Sequence, residues 1–304
     1  MRIGTRESQL AVWQATQVKE LLEKEGLSAE LVFIKSEGDI DLKTPLYEMG
    51  VQGVFTRSLD TALINDRIDI AVHSMKDVPT QLPEGIRQAA VLPRGPVRDL
   101  LVYKTGLEFL HSSAPAQIAT SSVRRRAQWL HKYPNHQLNN LRGNVNTRLR
   151  KLSEEPWDAA IFAQAGLERI NVRPGKSIVL DWMLPAPAQG AILVACRTED
   201  EASWLACQPL NDPDTALCTK IERDFLRTLL GGCSAPISAL AEIEDGDVYF
   251  AGELLSTDGK QKVAIEKILP IDMAEVIGKT AAEELLDNGG RAIVEAIKAA
   301  NSNV

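Results

Sequence analysis

The chain of 304 residues is poor in the residues that metal and redox sites require: it has four cysteines, Cys196, Cys207, Cys218 and Cys233, and four histidines. No two cysteines share a C-x-x-C spacing, so a metal site is not expected, and a chain of this length has no need of a disulfide scaffold. No apolar run approaches the roughly 20 residues that span a bilayer. The opening Arg2-Ile3-Gly4 enters a strand pattern at once, without the charged and apolar regions of a leader. A cytoplasmic protein with no membrane partner is the expectation. Basic excess is missing too: the formal net charge is -7 and the pI near 5.3, which argues against a general nucleic-acid binder. No G-x-G-x-x-G turn, G-x-x-x-x-G-K-[ST] loop, G-x-S-x-G elbow or Cys/His dyad occurs, so the familiar dinucleotide, NTPase and hydrolase readings fail.

With 44% hydrophobic residues the chain can fill more than one core, and two or three domains are expected. Arg2–Thr5 reads as a strand, and Ser8 as the N-cap of a helix that stops at Gly26. Leu31–Ile34 reads as a second strand, Ser36–Gly53 as a mobile loop rich in glycine, and Val54–Leu63 as a helix. The short β-branched run Ile68–Val72 then predicts a strand buried on both faces, with the loop after it beginning at His73 or Ser74. A break at Val91–Pro96 precedes a second unit: strands at Leu100–Tyr103, Ile118–Thr120 and Asp158–Phe162, and helices after Ser121-Ser122 and after Arg142-Gly143-Asn144. Asp158-Ala159-Ala160-Ile161 echoes Asp69-Ile70-Ala71-Val72, which suggests two similar lobes, each with a parallel or mixed sheet. A second break, Leu184–Gly190, leads into a strand at Ala191–Cys196 that would return to the first lobe, leaving a two-strand hinge over a cleft. The division expected is 1–93 with 191–209, then 97–185, then a small α+β domain over 212–304. That last domain opens with a helix capped by Asp212 or Asp214 and ending at Gly231-Gly232. It continues through hairpin turns at Asp245-Gly246 and Asp258-Gly259 to helices over Met273–Leu286 and Arg291–Ala300.

Three features carry chemistry. Lys76 and Asp77 follow a buried strand, and in open α/β sheets ligands gather beyond the carboxyl ends of strands; the bland alternative is a surface ion pair at a turn. Thr120–Lys151 holds Arg124, Arg125, Arg126, Lys132, Arg142, Arg148, Arg150 and Lys151 and no acidic residue. A solvated helix face, a nucleic-acid surface and a pocket for a polyanionic small molecule all account for it. Helix starts rich in hydroxyls, at Ser8 and Ser121-Ser122, favour the pocket, and the lack of aromatics among the arginines disfavours stacking on single strands. Cys233, in G-G-C-S-A-P, is a loop thiol open to attachment, whereas Cys196, Cys207 and Cys218 lie in apolar or helical contexts and read as buried and inert.

Six segments together resemble the porphobilinogen deaminase family, along essentially the whole chain: G-T-R-E-S (4–8), D-I-A-V-H-S-M-K-D-V-P (69–79), T-S-S-V-R-R-R (120–126), L-R-G-N-V-N-T-R-L (141–149), A-G-L-E-R (165–169) and G-G-C-S-A-P-I (231–237). The resemblance implies an α/β fold of two lobes like type II periplasmic binding proteins, joined by a hinge of two crossovers, with a small C-terminal α+β domain. It implies a transferase that joins four porphobilinogen molecules head to tail with loss of ammonia, giving hydroxymethylbilane. The primer would be a dipyrromethane cofactor, one per chain, held by a thioether to Cys233. By the same resemblance Asp77 is the catalytic carboxylate. Lys76, Thr120, Ser122, Arg124, Arg125, Arg142 and Gln189 are expected at the cofactor, and Arg6, Ser8, Arg148 and Arg169 at the substrate carboxylates. A monomer without nucleic-acid partners is expected. Two positions depart from the family pattern: Gln52, where a lysine is usual, and Ala188, where a glycine is common. The alternative from another class is a two-lobed polycarboxylate-binding or sensing protein without catalysis.

Overall fold

The computed structural model describes residues 1–35, 56–229 and 235–302. The expected loop at Ser36–Gly53, the helix residues Val54 and Phe55, Gln52, Gly231-Gly232 and Cys233 lie outside the described residues.

Two five-stranded mixed sheets share one plan. The first runs β2-β1-β3-β10-β4, built from β1 (Arg2–Thr5), β2 (Glu30–Phe33), β3 (Ile70–Ser74), β4 (Ile86–Val91) and β10 (Ile192–Arg197). The second runs β7-β6-β8-β5-β9, built from β5 (Asp99–Tyr103), β6 (Gln117–Ala119), β7 (Gln137–Asn139), β8 (Ala159–Ala163) and β9 (Ser177–Val179). In each, three strands pair in parallel (β2-β1-β3 and β7-β6-β8) and a strand from across the hinge enters antiparallel beside the third. This is the strand order of a type II periplasmic-binding-protein lobe, repeated. The Asp-x-Ala-x echo in the sequence thus falls on topologically equivalent strands, β3 and β8. The chain crosses between lobes after β4 and again before β10, and the crossings hydrogen-bond to each other through Gly95 N–H and Gly190 O, 3.0 Å.

Equivalent helices follow the equivalent strands β1 and β6, and each is started by a serine. Ser8 Oγ accepts from Ala11 N–H ahead of the Gln9–Lys24 helix, and Ser122 Oγ accepts from Arg125 N–H ahead of the Val123–Lys132 helix. The first buries Ala15, Val18 and Leu22 at i, i+3 and i+7 and ends before Gly26, whose φ of 81° is the left-handed closure a glycine permits.

The C-terminal domain packs a three-stranded antiparallel sheet, β11 (Ile237–Glu244), β12 (Asp247–Leu255) and β13 (Lys262–Pro270), on the Pro213–Leu229 and Ile277–Leu285 helices. Asp212 Oδ1 accepts from Thr215 N–H and caps the first of these helices. Asp245 and Gly246, with φ of 51° and 86°, form the two-residue turn between β11 and β12. Two sequence expectations need correction, and a third observation accounts for a departure from the family pattern. The β3 strand starts at Ile70 and continues through Ser74, so the turn begins at Met75, because β10 pairs with β3 out to Ser74. The segment from Ile271 to Val276 is a 3-10 helix that buries only Ala274, and the α-helix starts at Ile277, from which Ile277, Ala281, Ala282 and Leu285 enter the core. Ala188 takes a φ of 60°, which explains why glycine suits that position.

Candidate active site between the lobes

The Lys76-Asp77 pair sits on a 3-10 turn, Met75–Asp77, directly after β3. Buried Met75 anchors it, donating its N–H to Ala191 O at 3.1 Å. Ser74 Oγ, just before the turn, exchanges hydrogen bonds with the Gln14 amide of the first helix. His73 points the other way, into the lobe, and burial with the nearby Arg6 charge pushes its pKa down to about 4. Lys76 is half-buried and donates to Gln189 Oε1 across the hinge at 3.4 Å. Burial, with Arg125 and Arg124, pushes its pKa down to about 8, against the opposing pull of Asp77 and Asp99. Asp77 is exposed, and its field reaches both Lys76 and Arg148 of the second lobe.

The second lobe is organised around a residue that sequence reading missed. Asp99, the first residue of β5, is fully buried; its Oδ2 accepts from Arg124 Nη2 and its Oδ1 from Arg125 Nη2, both at 2.7 Å. Gln189 Nε2 adds a third hydrogen bond to Oδ1 at 2.9 Å and another to Val97 O at 2.7 Å. Burial alone would raise the Asp99 carboxyl, but the two guanidinium groups outweigh it and hold it well below the usual carboxylate range. The remaining Nη1 groups donate to Leu184 O (Arg124, 2.7 Å) and Ile161 O (Arg125, 3.0 Å), while each Nε–H is buried without a partner. One carboxylate therefore faces two guanidinium groups, and the excess is positive. Arg142, buried, and Arg148, half-buried, add to it. Arg148 donates from Nε to Gly143 O at 2.7 Å, and burial, Arg125 and Arg142 push its pKa down to about 10 against Asp77.

The other expected site residues are placed as follows. Thr120 is buried at the end of β6, its Oγ1 accepting from Ser122 N–H at 3.2 Å; Ser122 Oγ caps its helix and keeps its own proton to donate. Arg6 and Ser8 occupy the corresponding strand end in the first lobe. Arg169 stands at the hinge, donating to Gly190 O at 2.5 Å with its guanidinium 5.7 Å from the Trp13 ring, and burial pushes it down to about 10. Of the acid-free segment, Arg126 and Arg150 are exposed, and Arg150 pairs with Glu154 four residues on. Cys196, Cys207 and Cys218 are buried, and burial pushes the last two thiols up to about 12.

Three further charges were missed with Asp99. Arg94, Glu222 and Arg223 tie the hinge and first lobe to the C-terminal domain. Glu222 had a readable signal: it lies in the apolar stripe Cys218, Ile221, Phe225 and Leu229, where a carboxylate demands a partner. Asp99 also had one, as a carboxylate opening the apolar strand Leu100–Tyr103 just past a proline break.

Among the described residues no group of three or more His, Cys, Asp and Glu side chains could hold a metal, and no helix is long and apolar enough to cross a membrane. Fold and site define a two-lobed α/β protein that brings cations from both lobes, and one exposed carboxylate, together at the hinge. A family model described as "Porphobilinogen deaminase, dipyromethane cofactor binding domain" matches residues 1–204, and one described as "Porphobilinogen deaminase, C-terminal domain" matches residues 216–287. The chain belongs to the porphobilinogen deaminase family. The porphobilinogen deaminase of Pelobacter propionicus is 41% identical over 301 residues, covering 98% of this chain and 97% of that protein. The chloroplastic one of Oryza sativa subsp. japonica is 42% identical over 310 residues, covering 98% of this chain and 86% of that protein. Among solved structures, a nutrient binding protein from Burkholderia cenocepacia bound to methionine is similar with a TM-score of 0.42 at 17% identity, covering 71% of this chain and 93% of that one.

The donor set fits the dipyrromethane cofactor of this family. Each of its pyrroles carries an acetate and a propionate, and the second lobe holds excess guanidinium charge with two buried Nε–H groups that lack an acceptor. A buried donor left unpaired costs on the order of 1–3 kcal/mol, which a carboxylate acceptor offsets.

Proposed function

We propose that the chain is the transferase that joins four porphobilinogen molecules head to tail into hydroxymethylbilane, on a dipyrromethane bound covalently to Cys233. The observation that carries this reading is the exposed Asp77 carboxylate, flanked by Lys76 of its own turn and near enough to Arg148 of the opposite lobe for the two charges to act on each other. At each addition the C–N bond of the substrate aminomethyl group breaks and ammonia leaves. A C–C bond then forms from that methylene to the free α-carbon of the terminal ring, which gives up a proton. When bound, the dipyrromethane supplies the first such ring carbon. After four additions water breaks the bond between the first added ring's methylene and the primer, leaving the hydroxyl on that methylene and a proton on the primer's α-carbon, which frees the hydroxymethyl product. Loss of ammonia makes the substrate methylene cationic, and Asp77 stabilises that charge as it develops. Arg124, Arg125 and Arg142, with Thr120 and Ser122 as hydroxyl donors, hold the cofactor's carboxylates, with Lys76 beside them and Gln189 fixing the hinge. Arg6, Ser8, Arg148 and Arg169 take the carboxylates of incoming substrate.

A polycarboxylate binder without catalysis would use the same cations but has no use for a covalent primer. Intact mass measurement separates the two. Native protein carries the increment of two pyrroles and Cys233→Ala lacks it; an increment that survives the substitution, or is missing from native protein, refutes the assignment. The reading includes a monomer in the cytoplasm with no nucleic-acid or membrane partner, and sedimentation of the purified protein checks the first of these.

A further inference from the structure

The Pro213–Leu229 helix of the C-terminal domain sends a guanidinium into the back of the catalytic turn. Arg223 Nη1 donates to Val78 O at 2.9 Å and to Met75 O at 3.3 Å, and its Nη2 donates to Pro79 O. These three carbonyls bracket Lys76 and Asp77. The turn itself has few other restraints: Met75 N–H reaches Ala191 O and Val78 N–H reaches Met75 O, each at 3.1 Å. Met75 O already accepts from Val78 N–H, while Val78 and Pro79 lie just past the end of the turn; a cation there donates to all three carbonyls and complements the negative end of the turn. The guanidinium spreads these donors over two nitrogens held in one plane, whereas an ammonium carries its three donors on a single nitrogen and has no fixed fork. The adjoining Glu222, on the same helix, accepts from Ala188 N–H at 2.6 Å in one hinge strand and pairs with Arg94 in the other. One helix therefore registers the turn against the hinge.

We infer that Arg223 is a positioning residue for the reaction: it holds the Met75–Pro79 backbone so that the Asp77 carboxylate is presented at a fixed place between the lobes. Nothing in the arrangement has Arg223 touch the substrate; it acts on the carbonyls of the turn that carries Asp77. This inference rests on the catalytic role proposed for Asp77, and it is tested so that the two can fail separately.

The test uses holoenzyme whose covalent increment has been verified by mass, as native protein, Arg223→Lys, Arg223→Ala, Asp77→Ala and the double variant Arg223→Ala with Asp77→Ala. Turnover and amide hydrogen exchange over Met75–Val78 are measured on each. The lysine variant keeps an alkyl stem and the charge but gathers its donors on one nitrogen, so the two-nitrogen grip on the turn is lost. It is expected to lose at least about 10-fold in kcat with KM changed less than about 3-fold, the pattern of an interaction made only in the transition state. Exchange of the turn amides is expected to rise at least about 10-fold in both Arg223 variants. In the Asp77→Ala background, Arg223→Ala is expected to cost less than about 2-fold more, since residues acting as one unit are not additive. Native-like kcat in Arg223→Lys, unchanged exchange, or fully additive losses would each overturn the inference. If Arg223→Ala does not fold, Arg223→Lys decides by the same kcat and exchange criteria, its additivity being read in the Arg223→Lys, Asp77→Ala protein. If Asp77→Ala alone keeps native turnover, the catalytic reading of Asp77 fails, and the positioning role fails with it even if exchange shows that Arg223 braces the turn.

Discussion

Glu222 and Arg94 meet as a bidentate pair, Oε1 to Nη1 at 2.7 Å and Oε2 to Nη2 at 2.9 Å, with no part of the Glu222 side chain exposed. The same carboxylate accepts from Ala188 N–H of the hinge and, at 2.8 Å, from Ala241 N–H of β11. Arg94 in turn donates from Nε to Gln189 O at 3.0 Å. Both hinge strands and the C-terminal sheet thus close on one ion pair.

Truncating Glu222 to alanine strands the Arg94 cation and leaves two buried amide N–H groups without acceptors. Breaking a buried pair by removing one partner costs about 3–5 kcal/mol, and a loss of this size is expected in urea unfolding of Glu222→Ala. A loss under about 1 kcal/mol would show that the hinge does not depend on the pair.

Asp99→Asn keeps the side-chain shape but removes the negative charge that pairs with Arg124 and Arg125. Destabilisation of about 3 kcal/mol at neutral pH is expected. The pH dependence has a definite sign. Because the folded Asp99 carboxyl lies below its unfolded value of about 4, the unfolded chain binds the proton more readily, so stability falls as pH drops below about 4. Native protein should lose this contribution on acidification and Asp99→Asn should have none to lose; parallel acid curves for the two would contradict the assignment.

His73 acts over a higher window. Its folded pKa of about 4 lies below the unfolded value of 6.5, so the unfolded state takes up a proton first as pH falls from 6.5 towards 4. About 3 kcal/mol of stability is lost across that interval, from 1.36 kcal/mol per unit. In His73→Phe the loss should disappear, a difference that denaturation midpoints at several pH values between 4 and 7 will reveal.

Asp77→Ala should fold normally, since the side chain is exposed, and should retain the covalent cofactor increment. Turnover of porphobilinogen is expected to fall at least about 10²-fold, as when a preorganised electrostatic group is removed. Steady-state kinetics on mass-verified protein measures this, and activity near that of the native enzyme would remove Asp77 from the reaction.

Much of the molecule could be read from local signals. Strand and helix alternation, the serine caps at Ser8 and Ser122 and the turn at Asp245-Gly246 depend on near neighbours in the chain, so periodicity and turn chemistry locate them. The chemical character of the site was legible as well, because a segment with eight basic residues and no acid is costly in self-repulsion unless an anion answers it. Other features depend on contacts distant in sequence. The partner of Arg124 and Arg125 is Asp99, 25 and 26 residues away, and Lys76 meets Gln189 across 113 residues. Arg223 braces a turn whose carbonyls lie 144 to 148 residues earlier.

The sequence by itself determined two repeated α/β units, an acidic chain with one basic segment, and a carboxylate at the end of a buried strand. Those are properties of residue type and spacing, which backbone sterics and side-chain hydrophobicity act on locally. Only the tertiary structure decided which charges answer one another. A buried charge takes its partner from whichever element folding brings alongside it, and here the crossings before β5 and β10 bring Asp99, Arg94 and Gln189 to the hinge.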